Sequence, residues 1–502
     1  MIMAIYWLLW AVAAVGNLRW VIYLFFGGIA FGAVNTLPGS INLLPATACV
    51  PLLTYRVLRG LGQPGAAMDC ILNGRRLGLL TAYIVVSFVV TMTAPALFAG
   101  VPIMEMNNLR MGALHFAPTN LTQIVYLIAS FCVTLSVCVM IQSREGRRLL
   151  AEGLIFGGVM LIVSGVLDAV LGSGPLAPLK TASYAMILDA EIQGVSARRV
   201  VGFYSEASVY GAATLAFASC LIFMRPGREF GGLLSWLDLI VGLGLELMTY
   251  LSTSSGALAG LGVMVVFQVW AMVANALATR DLAERSRAQG EFLGALAVAV
   301  VVGIYLVAAP EILGKIYLMV DTMILKKSQT SSFEERGEWT RTTFQAVMAT
   351  YGYGIGAGAS RASNWAVAVL ATGGVAGAVL MGAFLVKCMA ASIPRGSSPV
   401  AFMGRGGRYA FLVSLVPAIG SATTADYGPV IATILAVMAG ATGVSPESES
   451  IAPGVVPVAT GRRVWRPAGS ARAIAGGERP VGALVRSRGE ARLRDAAEGW
   501  VP

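Results

Sequence analysis

The chain has 502 residues, of which 57% are hydrophobic and only 12% charged, with a mean hydropathy of +0.74. A soluble domain carries roughly 25% charged residues, so this composition excludes an ordinary soluble globule and specifies a polytopic α-helical membrane protein. The net charge of +10 is no nucleic-acid signature, because the arginines fall in short clusters between apolar runs, and a single histidine, His115, argues against a zinc site or a histidine-based triad.

In chain order, the opening "MIMAIYWLLWAVAAVG" lacks a charged n-region and reads as a first membrane segment rather than a cleavable signal. Apolar runs follow at 20–34, 39–54, 77–99, 122–141, 150–172, 205–224, 232–250, 256–279, 292–310, 364–386, 408–423 and 428–442. A span needs about 20 residues, so 1–442 is expected to be an all-α transmembrane bundle of about 12–13 spans. The six cysteines (Cys49, Cys70, Cys132, Cys138, Cys220, Cys388) lie mostly inside these runs, form no CxxC, and read as small buried hydrophobes.

Basic clusters fix the expected orientation. Arg56, Arg59, Arg75 and Arg76 share one loop; Arg144, Arg147 and Arg148 another; then come Arg225 and Arg228, Arg280, Arg285 and Arg287, and Lys387, Arg395, Arg405 and Arg408. They alternate with the remaining loops, so the positive-inside rule assigns them to the cytoplasm. The opposite, periplasmic side then holds 100–121, the "STSSG" turn at 252–256, and two longer loops at about 173–204 and 311–363. Residues 443–502 are rich in Gly, Pro, Ser and Arg and lack periodicity, which predicts a disordered basic cytoplasmic tail.

The two long outward loops break the charge rule. They carry Arg198, Arg199, Arg336, Arg341 and Arg361 on the side where arginine is scarce. A guanidinium offers a rigid fork of donors matched to phosphate, and several together stabilise charge building on a diphosphate leaving group. The plain alternative is that they anchor the loops to lipid heads or pair with Glu334, Glu335 and Glu338. Glu206 stands at the mouth of the helix after the arginine pair. It reads either as a helix cap and ion-pair partner or as a general base toward a sugar hydroxyl. Gly352, Gly354, Gly356 and Gly358 in "YGYGIGAGASRASNW" suit either a tight re-entrant turn or a backbone pressed against an anionic ligand or glycan.

Three stretches, "RRVVGFYSEASVYGA", "LMTYLSTSSGALAGLGV" and "RGEWTRTTFQAVMATYGYGIGAGASRASNWAVAVLATGGVAGAVL", resemble, in order and spacing, the bacterial O-antigen polymerase and ligase superfamily. Arg341, ten intervening residues and Gly352 fit its Arg-x10-Gly pattern. The resemblance spans about 200–385 in pieces. It implies a multi-pass glycosyltransferase of the bacterial inner membrane that needs neither metal nor other cofactor. Such an enzyme joins undecaprenyl-pyrophosphate-linked oligosaccharide units at the periplasmic face, for exopolysaccharide, capsule or O-antigen. The implied partners are that lipid-linked oligosaccharide, membrane lipid, chain-length regulators and export proteins, with no nucleic acid. The family's ligases carry a histidine in the large periplasmic loop, and 311–363 has none, which favours a polymerase over a ligase.

In the resulting mechanism Glu206, Arg199 and Arg341 are catalytic. Arg198, Arg336 and Arg361 bind the pyrophosphate with them. Tyr204, Trp339 and Tyr353 stack on sugars, and Gly352 shapes the turn. An alternative from another class is a lipid-linked glycan flippase or transporter, with Asp168, Asp238 and Glu246 as an ion or proton route.

Overall fold

The computed structural model describes residues 2–37, 42–62, 65–106, 110–182, 199–278, 314, 331–393 and 398–442. The chain divides into units 1–450 and 451–502, and every described residue lies in the first. The tail expected from 443 onward, the run at 292–310 and Arg198 lie outside the described residues.

The unit is helical almost throughout. Two N-terminal helices, α1 (Ile2–Val15) and α2 (Leu18–Ile29), precede α3 (Pro45–Gly60), the short α4 (Ala66–Leu72) and α5 (Gly78–Leu97). A two-stranded antiparallel hairpin, β1 (Pro102–Met104) and β2 (Met111–Ala113), pairs Ile103 with Gly112. Then come α6 (Pro118–Met140), α7 (Arg144–Leu171), a single turn α8 (Ser173–Leu176), α9 (Ala207–Ser219), α10 (Gly232–Leu251) and α11 (Ser255–Ala278). After a gap in the described residues follow α12 (Ser331–Ala349), α13 (Trp365–Ala390), α14 (Pro399–Ser421) and α15 (Gly428–Ala441).

Seven of the described helices are long and apolar enough to cross a membrane: α5, α6, α7, α9 with its continuation to Phe230, α10, α11 and α13. The chain is therefore a multi-pass helical membrane protein. Two departures from expectation have clear causes. The 311–363 loop contains the 19-residue helix α12, whose polar sequence hides its periodicity from a hydropathy scan but places Glu334 in the first turn, where the helix dipole favours it. The hairpin in 100–121 interrupts an otherwise all-α reading.

Packing follows from residue size. The apolar residues of α15 point every way, and nearly all from Val430 to Ala441 are buried, as expected of a helix enclosed by others, here α6 and α14. Glycines let helices close: a Cβ on Gly406 of α14 would come 2.1 Å from the carbonyl oxygen of Phe223, in the π-turn Cys220–Met224 that extends α9. On α10, Leu233, Trp236, Ile240, Leu243 and Leu247 are exposed at intervals of three and four, which makes one continuous lipid-compatible stripe.

Among the described residues, the basic clusters gather at one end of the bundle; Arg280, Arg285, Arg287 and Arg395 lie outside them. The Arg147 guanidinium grips the Glu229 carboxylate with both arms, at 2.6 and 2.8 Å, joining the α6–α7 turn to the segment before α10. Lys387, at the end of α13, donates to the carbonyl oxygens of Gly74 and Arg76. The segments expected outside meet at the other ends of the same helices.

Candidate functional site

The site begins with a segment that has no regular structure and is held by others. Residues 199–206 lead into α9. Val200 N–H donates to Leu251 O, while Val201 and Gly202 N–H both donate to Asp168 Oδ2, at 2.7 and 3.2 Å. Gly202 takes a φ of +57° against Ser164 and Tyr210, where a side chain would collide. Tyr204 is buried and donates to Ile29 O, and its ring fills the space beside Gly32. Tyr204 is thus packed into the core, not presented to a sugar.

This scaffold fixes Arg199 against the α10–α11 turn. Its Nε donates to Thr253 Oγ1 at 3.2 Å and its Nη2 to Thr253 O at 3.3 Å. Thr253 turns the chain with a φ of +49°. The Ser/Thr-rich turn and the arginine segment, 54 residues apart, therefore form one corner of the site.

Glu206 is the N-cap residue of α9, but its carboxylate makes no cap hydrogen bond to the backbone and instead accepts from Ser208 Oγ at 3.0 Å. The capping reading of Glu206 is corrected on that point. None of the ion pairs among the described residues involves it.

The third contribution comes from α12 and the loop behind it. Arg361 donates its backbone N–H to Met104 O and accepts at its carbonyl from Thr343 Oγ1, which pins the strand-like segment between the β-hairpin and α12. Its guanidinium carbon lies 4.8 Å from the centre of the Trp339 ring, a cation–π contact. Its Nε is buried and has no hydrogen-bond partner among the described residues.

The electrostatics tie these corners together. Burial lowers the pKa of Arg199, Glu206 opposes that shift, and Arg336 adds to it. Arg361 shows the same three influences in the same order: burial downward, Glu206 upward, Arg336 downward. Three guanidiniums from separate segments thus share one electrostatic neighbourhood around a single carboxylate, and none closes an ion pair with it. Among the groups that act on Arg199 and Arg361, the guanidiniums outnumber the one carboxylate, Glu206. A partly desolvated cationic cluster of this kind has the donors and the charge that a multivalent anion needs.

Other expected members stand apart. Arg341 is exposed, five residues of helix rotate it about 140° from Arg336, and it is not among the groups that act on Arg199 or Arg361. Tyr353 and Gly352 follow the opposite end of α12. Tyr353 OH hydrogen-bonds Thr93 Oγ1 at 2.7 Å and its ring leans on Phe98. Gly352, with a φ of +77°, turns the chain, and Val375 N–H donates to its carbonyl. Thr253 and Asp168 are site-building residues that sequence reasoning did not assign there. Their partners lie 54 and 33 residues away, and no local spacing signals that.

The Gly-rich loop proves to be a wedge. Gly352, Gly354, Gly356 and Gly358 all have positive φ. Ile355 and Gly356 N–H both donate to Ala371 O where α13 breaks at Gly374 (φ 65°, ψ −166°). Ala357 N–H donates to Thr91 Oγ1, and Asn120 Nδ2 donates to Ala357 O. The re-entrant-turn reading holds: these glycines allow close approach of protein to protein. A small cleft lies beside them, lined by Gly356, Gly358, Gln123, Thr372, Thr424 and Asp426.

No protein-family profile matches the chain, and no curated protein sequence matches it.

Proposed function

We propose that this protein is a polysaccharide polymerase of the bacterial inner membrane. It would transfer an oligosaccharide from undecaprenyl pyrophosphate to a lipid-linked acceptor at the face opposite the basic loops, the periplasmic face. The observation that carries the proposal is the convergence of Arg199, Arg336 and Arg361 around Glu206, from loop segments that a positive-inside reading puts outside. The resemblance of the same segments to the O-antigen polymerase and ligase superfamily supports it.

In this reading the guanidiniums hold the donor's diphosphate. The acceptor hydroxyl attacks the anomeric carbon on the side opposite the leaving group. The bond from that carbon to the phosphate oxygen breaks, and undecaprenyl pyrophosphate departs with the electron pair, its new charge met by the arginines. Glu206 takes or orients the hydroxyl proton. Trp339, already covered by Arg361, supplies an aromatic edge to the site. The activated phosphate linkage drives the reaction, so no nucleotide is consumed.

The acidic residues behind the flippase alternative have separate local partners among the described residues. Asp168 holds the 201–202 backbone at one end of the bundle, and Asp238 accepts from Gly227 N–H at the other, at 2.7 Å. Glu246 contacts Gln268 between α10 and α11.

Purified protein in proteoliposomes, given lipid-linked repeat units, is expected to make longer lipid-linked products. Arg199→Ala, Arg336→Ala and Arg361→Ala should each lower the rate at least about 100-fold, the scale of losing one transition-state donor. Arg341→Ala should stay within about threefold of wild type. Translocation of the units without lengthening would replace the proposal with a flippase. Transfer only onto a lipid A core would replace it with a ligase.

A further inference from the structure

The end of the bundle opposite the arginine cluster holds a second chemical arrangement. Cys70 of α4 and Cys138 in the last turn of α6 are both fully buried, with their sulfur atoms 3.7 Å apart. Arg76 Nη1 donates to Cys70 Sγ at 3.3 Å, and the same nitrogen lies 3.0 Å from Asp69 Oδ2. Two thiols that served only as packing would need no guanidinium. This one is brought to the sulfur by a tight return of the chain, in which Leu77 N–H donates to Cys70 O. The hydrogen bond from Cys138, and then the Arg76 guanidinium, lower the Cys70 thiol to about 6 against burial and the nearby Asp69. Lys387 and Cys388 are the other titratable groups near the pair, both at the end of α13. Cys70 belongs to a short helix at the surface, whose residues Met68 and Leu72 are 59% and 71% exposed.

We propose that Cys70 and Cys138 form a reversible oxidation site, in which a hydroperoxide converts the dithiol to a disulfide that ties α4 to α6. The Cys70 thiolate attacks the hydroxyl-bearing peroxide oxygen and the O–O bond breaks; Cys70 becomes a sulfenic acid, and the hydroxide or alkoxide that leaves takes a proton from water. The Cys138 sulfur then attacks the Cys70 sulfur, the S–O bond breaks, and the hydroxide leaves with the Cys138 proton as water. Two electrons pass from the two sulfurs to the peroxide. A small-molecule dithiol restores the pair. Arg76 acts by holding Cys70 as thiolate, the form that reacts. Cys49 and Cys220, buried without a guanidinium beside them, stay reduced.

The test uses the full-length protein in proteoliposomes. Hydrogen peroxide followed by alkylation and non-reducing peptide mapping should give a Cys70–Cys138 peptide that dithiothreitol abolishes. Arg76→Ala should slow iodoacetamide labelling of Cys70 at pH 7 by about tenfold, and Arg76→Lys should recover most of the rate. A variant that merely unfolds would label faster, not slower; in that event the wild-type peptide map decides alone. Linkage of Cys138 to Cys388, oxidation of Cys70 past the disulfide, no linkage at all, or an unchanged labelling rate in Arg76→Ala would each overturn the proposal.

Discussion

A single carboxylate shows how position sets chemistry in this molecule. Asp426 sits in the turn before α15, where Oδ1 accepts from Ser130 Oγ at 2.5 Å and from Gly428 N–H at 3.2 Å, and no guanidinium is near. Burial raises its pKa to about 6, against the lowering effect of those two hydrogen bonds. The folded state therefore holds a proton that the unfolded chain releases near 3.8. Stability should fall as pH rises from about 4 to about 6 and level off above that. The penalty at pH 7 is between about 1 and 3 kcal/mol, since the side chain lines an open cleft. Asp426→Asn, which can still accept both hydrogen bonds, should unfold at a higher temperature than wild type at pH 7, with the gap much narrower at pH 4.5. Thermal unfolding in detergent at the two pH values measures it, and a constant gap would refute the assignment. Glu206 is the contrast in surroundings: its charge acts on two buried guanidiniums, those of Arg199 and Arg361.

At the scale of elements, the Gly-rich loop and the break in α13 belong together. A helix interrupted inside a membrane bundle leaves backbone groups that lipid cannot satisfy. Here the loop supplies the partners, with Ile355 and Gly356 donating to Ala371 and Gly352 accepting from Val375. The fit leaves no room for a methyl group: a Cβ on Gly358 would stand 2.3 Å from Thr119 O, at a φ of +71°. Gly358→Ala should cost about 2 to 4 kcal/mol, by combining backbone strain with a forced shift of α6. It should also lower transfer activity, because Arg361 follows three residues later. A melting curve unchanged from wild type would show that the loop yields instead. Alternating glycines announce a loop of unusual backbone, but only the packing against α5, α6 and α13 decides between a ligand cradle and a wedge.

For the whole molecule, the two ends differ in kind. One end is stapled by cations to carbonyls and carboxylates: Arg147 to Glu229, Lys387 to the 74–76 turn, Arg56 to the carbonyls of Ala14 and Gly16. The other end gathers the β-hairpin, the start of α9, the Thr253 turn and α12 around guanidiniums that close no ion pair among the described residues. If the stapled end faces the cytoplasm, a cysteine at the almost fully exposed Tyr351 (94%) should react with an impermeant maleimide in intact cells. One at Arg75 should react only after permeabilisation, both in a background lacking native cysteines. The reverse pattern would place the arginine cluster inside and remove the basis for transfer at the outer face.

The helical membrane class and most helix positions follow from the sequence by itself, because apolar runs long enough to cross a bilayer permit few other structures. So does the suspicion attached to outward arginines, since a charge against the topological trend is visible one residue at a time. The tertiary structure alone decided which of them meet. Arg199 reaches Thr253 across 54 residues, and Arg199 and Arg361 both feel Glu206 and Arg336, while Arg341 turns away on another face of the same helix as Arg336. It also decided that Tyr204 is core, that the glycines serve packing, and that Cys70 and Cys138 are neighbours. The physical reason is common to all of these: hydropathy and periodicity act locally along the chain, whereas which side chains converge depends on helix rotation and contacts between segments far apart in sequence.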